Sequence, residues 1–149
     1  MANELIGAFN WLVNRLTGDS ALTAIVGARV WAEFAPDVDP ATDARPAYPF
    51  VLFHLQAAED VRGVSTVRVL TRPLLCVKVL GQAPYEDLQA AADRIDAVLH
   101  AAPGSTFSFG GDTYTVAACL RERPLAYSEF PAPGVRISHL GGLYRVTIY

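Results

Sequence analysis

Two runs of apolar residues in the middle of the chain predict the two strands around which the rest is arranged. Residues 48–56 form a nearly unbroken apolar run, which is typical of a β-strand covered on both faces. Residues 74–80 predict a second strand with Leu75 on one face, while Lys78 points its charge out of the other face. The charged segment 59–63 between the two runs predicts the beginning of a turn.

The longest helix is predicted from the apolar spacing that follows these strands. One stripe with helical spacing contains Leu88, Ala91, Ala92, Ile95, Val98 and Leu99. Pro84 suits the first turn of a helix, and Glu86 and Asp87 place negative charge at the positive end of the helix dipole. We therefore predict a helix from Pro84 to Ala101 that is held by the packing of its stripe on the sheet.

The N-terminal third predicts two helices, one strand and one loop. Apolar positions on a single face predict a first helix over residues 4–16. A short helix that follows Ser20, its predicted N-cap, and runs through Val26 is predicted next. Alternation over Arg29–Phe34 predicts a half-exposed strand, and the prolines and aspartates of residues 35–47 predict a long polar loop.

Two strands are predicted immediately after the long helix. Residues 106–109 and residues 112–120 flank Gly110–Gly111, and consecutive glycines allow the positive φ angles of a tight hairpin turn. We expect the second of these strands to end at Arg121–Pro124.

The C-terminal segment predicts a loop, a turn and a last strand. Residues 128–134 read as a proline-rich loop with Phe130 near its middle, and residues 135–137 as a short strand. Gly141–Gly142 predicts another turn, and the alternating residues Leu143–Tyr149 predict the final strand.

Together these elements predict an α+β fold: a mostly antiparallel β-sheet packed by an N-terminal helix and one long amphipathic helix. The 149 residues suffice for one core and contain no linker or repeat, so we predict a single domain over residues 1–149. Hydrophobic residues make up 52% of the chain and charged residues 18%, the reverse of the balance in a disordered protein. The net charge is −3 and no basic block exists, so sequence-specific nucleic-acid binding is not expected.

The cysteines and the lengths of the apolar runs indicate in which cellular compartment the protein folds. Cys76 and Cys119 lie far apart and form no CxxC pair, which favours two buried thiols in a reducing cytosol. A disulfide is the alternative if their strands are neighbours. We expect no signal peptide, because Glu4 precedes the first apolar residues and Asn10, Asn14 and Arg15 interrupt them. We expect no membrane contact, because no apolar run approaches the ~18 residues of a membrane span.

No catalytic, cofactor or metal site is predicted. His54, His100 and His139 are scattered along the chain, and no G-x-S-x-G elbow, phosphate-binding loop or zinc spacing is present. The acidic loop at residues 35–47 lacks the spacing and the glycine of an EF-hand. We therefore expect a protein that is not an enzyme and that holds no cofactor and no metal.

The residues most suited to contact a partner are charged or exposed in loops. The predicted subunit or partner interface consists of Glu59, Asp60, Arg62, Arg68, Arg72 and Phe130. The three arginines fit a solvated or interfacial role better than a DNA track, which needs more Lys and Arg. Arg29–Phe34 and Leu143–Tyr149 are the candidate edge strands, which neighbouring subunits could cover.

Three segments, in this order, resemble one protein family. They are Gly27-Ala28-Arg29-Val30-Trp31, Pro46-Ala47-Tyr48-Pro49-Phe50-Val51-Leu52-Phe53 and His139-Leu140-Gly141-Gly142-Leu143-Tyr144-Arg145-Val146. With the strands and the amphipathic helix between them, they resemble the tail terminator (tail completion) proteins of long-tailed bacteriophages. The resemblance covers nearly the whole chain, and the loop through residues 37–46 departs from it.

The resemblance implies a virion protein without enzymatic activity. Tail terminators form a hexameric ring that ends polymerisation of the tail tube and offers a surface for head–tail joining. The implied partners are further copies of the chain, the major tail tube protein, a head-connector or neck protein and the tape measure protein. The implied location is the head–tail interface of the virion, with assembly in the host cytoplasm.

Two alternatives to a tail terminator stay open at this point. A neck or head-closure connector is the nearest, because it belongs to the same assembly. A small ligand-binding regulatory α+β domain is the alternative from another class, and it predicts a concave pocket with convergent polar groups. A small hydrolase would in addition need a nucleophile within reach of a base.

Overall fold

The computed structural model describes residues 2–64 and 68–149 of the chain. Within these ranges a single six-stranded sheet is combined with three helices. The elements are α1 (Ala2–Thr17), α2 (Ser20–Val26), β1 (Val30–Ala32), β2 (Phe50–Arg62), β3 (Arg68–Gly81), α3 (Tyr85–Leu99), β4 (Ser105–Phe109), β5 (Asp112–Ala132) and β6 (Val135–Ile148).

The strand order in the sheet is β1-β2-β3-β6-β5-β4. Every neighbouring pair is antiparallel except β1 and β2, which run parallel. The predicted α+β class with a mostly antiparallel sheet is therefore confirmed. Leu143–Tyr149 was predicted as an edge, and this is wrong, because β6 lies between β3 and β5 in the interior of the sheet. The outer strands are β1 and β4.

The core lies between the three helices and one face of the sheet. Leu12 of α1, Leu22 of α2 and Ile95 of α3 are fully buried in the same cluster as Val77 of β3 and Val146 of β6. The predicted stripe of α3 is confirmed, with five of its six members buried and Ala92 half-buried. Packing on the sheet therefore holds this helix, as its periodicity indicates.

The short helix α2 ends at Val26 as predicted but begins one residue earlier, with a different cap. The backbone N–H of Leu22 donates to Asp19 Oδ1 at 2.8 Å, so Asp19 is the N-cap and the prediction of Ser20 is wrong. Arg94 of α3 reaches the same carboxylate, with Nε 2.8 Å from Oδ1 and Nη2 2.5 Å from Oδ2. The hydrogen bond from Arg94 lowers the pKa of Asp19 to about 2. The ionised cap thus joins α2 to α3.

The first strand is shorter than predicted, and a structured loop follows it. β1 ends at Ala32 because Glu33 has a φ of 65°, which is outside the β region. The polar loop predicted at residues 35–47 is confirmed as free of helix and strand. Asp39 is buried in it, forms a bridge to Ala44, and accepts a hydrogen bond from the backbone N–H of Ala41 at 2.9 Å.

The turn between β2 and β3 begins later than predicted. Strand pairing continues through Glu59, opposite Arg72, and Asp60, opposite Thr71, as far as Arg62. The charged segment does not break the pairing: Glu59 and Arg72 are opposite charges that face each other across the ladder and stabilise it, whereas Arg62 faces the like charge of Arg68. All residues of β2 from Gln56 onward are exposed. We call this outer part of the hairpin, residues 56–64 and 68–73, the β2–β3 arm.

The long hairpin of β5 and β6 replaces three predicted features. Arg121–Pro124 does not end β5, residues 128–134 are not a loop but the end of the hairpin, and Gly141–Gly142 is no turn. Beyond Val116, β5 has no partner on the β4 side, so Pro124 sits where a missing N–H is tolerated. At Gly141 a Cβ atom would lie 2.1 Å from the carbonyl oxygen of Val77. The glycine permits a close approach of two strands and does not reverse the chain.

We predict that Ile95→Ala lowers the free energy of unfolding by about 2–5 kcal/mol, because it leaves a cavity at a fully buried position. The matched control is Gln89→Ala on the exposed side of the same helix, which should stay within about 0.5 kcal/mol of the wild type. Urea unfolding followed by circular dichroism measures both. Equal effects of the two substitutions would contradict the packing of α3 described above.

Candidate interaction surfaces

The charges of the β2–β3 arm largely neutralise one another. Arg72 Nη1 lies 2.7 Å from Glu59 Oε1, in the cross-strand pair set by the register. Thr71 donates to Asp60 Oδ1 at 3.0 Å, and Arg68 Nη1 is 3.9 Å from Asp60 Oδ2. Such exposed pairs contribute about 0–1 kcal/mol each, so they define the arm's shape more than its stability.

The arm is tied to the body of the protein at two points. Near the outer end, Arg68, which lies opposite Arg62 in the ladder, forms an ion pair with Glu4 of α1. At the base, Arg145 of β6 donates to the backbone carbonyl of Arg72 at 3.2 Å while its guanidinium also contacts Glu122 at 2.8 Å. The arm is therefore held to its own chain both near its outer end and at its base.

The outer end of the arm carries exposed side chains without partners in the described part of the chain. Val61, Val64 and Val69 are exposed, and Val64 has no contact that shields it. Arg62 is exposed and forms no ion pair within residues 2–64 and 68–149. Of the five predicted interface residues in the arm, four are engaged with neighbours in the chain, and Arg62 is the one whose charge is unmatched.

Phe130, the sixth predicted residue, lies near the end of the β5–β6 hairpin. Its side chain is 71% exposed, on a strand and not in the loop that the sequence predicts. The hairpin is fixed to the start of α3 nearby. Ser128 donates to the hydroxyl of Tyr85 at 3.0 Å, and the guanidinium of Arg136 stacks 5.0 Å from the centre of the Tyr85 ring. The assignment of these six residues to an interface stays a prediction.

A groove separates α3 from the stem of the β5–β6 hairpin. Its volume is about 480 Å³, and sequence reasoning did not find it. It is lined by Tyr85, Glu86, Gln89, Ala92, Asp93, Arg121, Pro124, Leu125, Ala126, Leu140, Gly141 and Tyr144.

Charge in the groove is predominantly negative. Glu86 and Asp93 are exposed on α3 and form no ion pair within the part of the chain that the structure describes. Arg121 Nη1 is already 3.2 Å from Asp96 Oδ1, an oxygen that also accepts from the hydroxyl of Tyr144 at 3.1 Å. The groove thus combines an apolar floor with two unmatched carboxylates.

A buried polar cluster lies under the β5–β6 hairpin. Lys78 Nζ donates to the hydroxyl of Tyr127 at 2.7 Å, and the Tyr127 ring stacks on His139 with centroids 4.2 Å apart. Lys78 was predicted to point its charge out of one face of its strand. The β5–β6 hairpin is long enough to bring Tyr127 over Lys78 and His139, so that both side chains are buried, at 7% and 3% exposure. A charged residue inside an apolar strand was the signal for a buried partner.

The electrostatics of this cluster favour a neutral imidazole. Burial lowers the pKa of His139, and the nearby Lys78 lowers it further, while Glu129, with Oε2 3.5 Å from Nε2, acts in the opposite direction. Neither ring nitrogen has a hydrogen-bond partner in the described residues. The cluster of Lys78, Tyr127 and His139 is therefore structural, and protonation of His139 lowers the stability of the fold.

The remaining chemical candidates are not assembled into a site. His54 lies in β2, His100 follows α3 and accepts from the backbone N–H of Arg121 at 3.0 Å, and His139 lies in β6. No cluster of three metal-binding side chains occurs among the residues described. Of the helices in those ranges, none is long and apolar enough to cross a membrane.

The two cysteines are buried free thiols. Their strands β3 and β5 are separated by β6, so the neighbouring-strand condition for a disulfide is not met. Burial raises the pKa of Cys119 to about 12 and also raises that of Cys76. Neither thiol is a reactive nucleophile at neutral pH.

No protein-family model matches the chain, and no curated protein matches it either. Among solved structures, a chain of a structure titled "Virion of native gene transfer agent (GTA) particle" has a similar fold. The TM-score is 0.61 with 18% sequence identity, and the similarity covers 91% of this chain and 91% of the other. The similarity covers most of both chains, and at this sequence identity it shows a similar fold and nothing more.

We predict that stability decreases as the pH falls below about 6.5, the ordinary pKa of histidine, because the unfolded chain then binds a proton that folded His139 resists. His139→Phe keeps the stacking on Tyr127 and removes the titration. Its loss of stability between pH 7.5 and pH 5 should be smaller than that of the wild type, measured by urea unfolding at each pH. His54→Phe is the control, and an equal pH response of all three proteins would contradict the assignment.

Proposed function

We propose that this chain is a structural component of a phage-like virion and has no catalytic activity. The observation that carries the proposal is the shared fold with a chain of a gene transfer agent virion over 91% of both chains. The scattered histidines and the raised thiol pKa values support the absence of catalysis. An apolar core on one face of the sheet and polar arms outside it suit a subunit that works by contact.

Within that class, the role we propose is that of a tail terminator. The three sequence segments that resemble this family support the role. They fall on the outer strand β1, on its neighbour β2 and on β6 in the interior of the sheet. In this role the chain forms a hexameric ring on the end of the tail tube, stops its growth and presents a surface to the head connector. Its partners are then other copies of the chain, the tube protein and a neck protein.

Two features of the surface support assembly into a ring. The sheet ends in the outer strands β1 and β4, and edge strands need cover from a neighbour or from charge. The β2–β3 arm and the exposed Phe130 project from other parts of the surface. Contacts between unlike surfaces are heterologous, and they close into a ring when the rotation between subunits permits.

The nearest alternative is a neck or head-closure protein, which would also sit in the virion and share the general architecture. Such a protein would join heads to tails without setting the length of the tail tube. Tail length therefore separates the two roles.

The test is electron microscopy of particles made with and without this chain. We expect tails that lack it to exceed the normal length, because nothing ends tube polymerisation. Normal tail length with unjoined heads would assign the chain to the neck instead. Tails of normal length that still join heads in its absence would contradict both roles.

A further inference from the structure

We propose that the groove between α3 and the β5–β6 hairpin of one copy receives the outer end of the β2–β3 arm of a second copy. The inference deepens the ring assignment, on which it rests, by naming the two surfaces that meet. The donor surface consists of Val61, Arg62, Val64 and Val69. The acceptor is the groove with Glu86 and Asp93 at its rim.

The donor surface is unusual for an exposed hairpin. Three valines at its end are exposed, and Val69 is 56% accessible. Several exposed apolar residues near the end of one hairpin are typical of a surface that is buried on assembly. The arm's other charges are paired across its own strands, which leaves Arg62 as the group that a partner must match.

The acceptor matches this surface in shape and in charge. Its floor offers Leu140, Leu125 and Pro124 to apolar side chains. Glu86 and Asp93 are seven residues apart on α3, about two turns, so they lie on the same side of the helix. Two carboxylates without ion-pair partners in the described chain thus flank the place where the arm's arginine would enter.

The two kinds of contact have different roles. Burial of the valines supplies affinity, because it removes apolar area from water. The pairing of Arg62 with the carboxylates supplies register and orientation, since complementary charges at a rim favour one arrangement over others.

The arm serves a second copy and not its own chain. Its own chain holds it through Glu4 near the outer end and through Arg145 at the base, and strand β6 separates β3 from the β5 side of the groove. A donor and an acceptor at different places on one chain make a heterologous contact, which repeats around a ring.

Disulfide trapping between two singly substituted proteins tests this contact. Arg62→Cys protein is mixed with Asp93→Cys protein that carries a mass tag, and the mixture is oxidised mildly. The native Cys76 and Cys119 are buried, so they contribute little background. Because docking raises the effective concentration of the two thiols, we expect a mixed dimer at least about tenfold faster than with the control.

The control is Asp87→Cys in place of Asp93→Cys, on the same helix and exposed but not in the groove. A mixed dimer that forms no faster than with this control overturns the proposal, whether the groove then binds another virion protein or nothing. Trapping detects a contact even if the free chain is mostly monomeric, so a weak interaction does not escape the test.

A charge exchange provides the second measurement. Disulfide trapping is now measured between a Val64→Cys protein and a Gln89→Cys protein. Adding Arg62→Glu to the first protein, or Asp93→Arg to the second, should slow the trapping. The two changes together should restore it. Additive losses without restoration overturn the pairing. If tails that lack the chain are overlong but trapping fails, only this contact is rejected. If trapping succeeds while the tails have normal length, only the terminator role is rejected.

Discussion

The burial of β3 is the constraint on which the rest of the structure depends. Every residue from Pro73 to Gly81 is buried, so the strand needs a neighbour on each side and cover on each face. β2 and β6 supply the neighbours, and the helices cover the face that carries Val77. On the other face the charge of Lys78 must be met, and Tyr127 at the far side of β6 meets it. The length of the β5–β6 hairpin follows from this requirement.

The sequence predicts the features of the fold that arise within one helix or strand, and it misses those that arise from contacts between elements. Periodicity within one element sets the stripe of α3 and the centres of β2 and β3, and local signals set the end of α2. These predictions are confirmed. The long β5–β6 hairpin was missed, because Pro124 and Gly141 are ordinarily signals of a break. Here the proline lies at an unpaired edge and the glycine lets β6 approach β3, and both causes are tertiary.

The same distinction applies to the candidate surfaces. The charged arm and the exposed Phe130 could be selected from the sequence, because charge and missing periodicity are local signals. The groove could not be selected, since α3 and the β5–β6 hairpin build it together from residues that lie far apart in the chain. Likewise, the sequence does not tell that the arm's carboxylates are already engaged and that Arg62 alone is unmatched; the register decides that.

The central claim is that this chain acts as a ring at the end of a phage-like tail, and one measurement tests it most directly. A cryo-electron microscopy reconstruction of the intact particle locates the chain without any substitution. The account predicts a closed ring of this fold between the last tube layer and the neck, with the β2–β3 arm of each copy against the α3 groove of the next. The chain found elsewhere in the particle, or absent from it, would contradict the account.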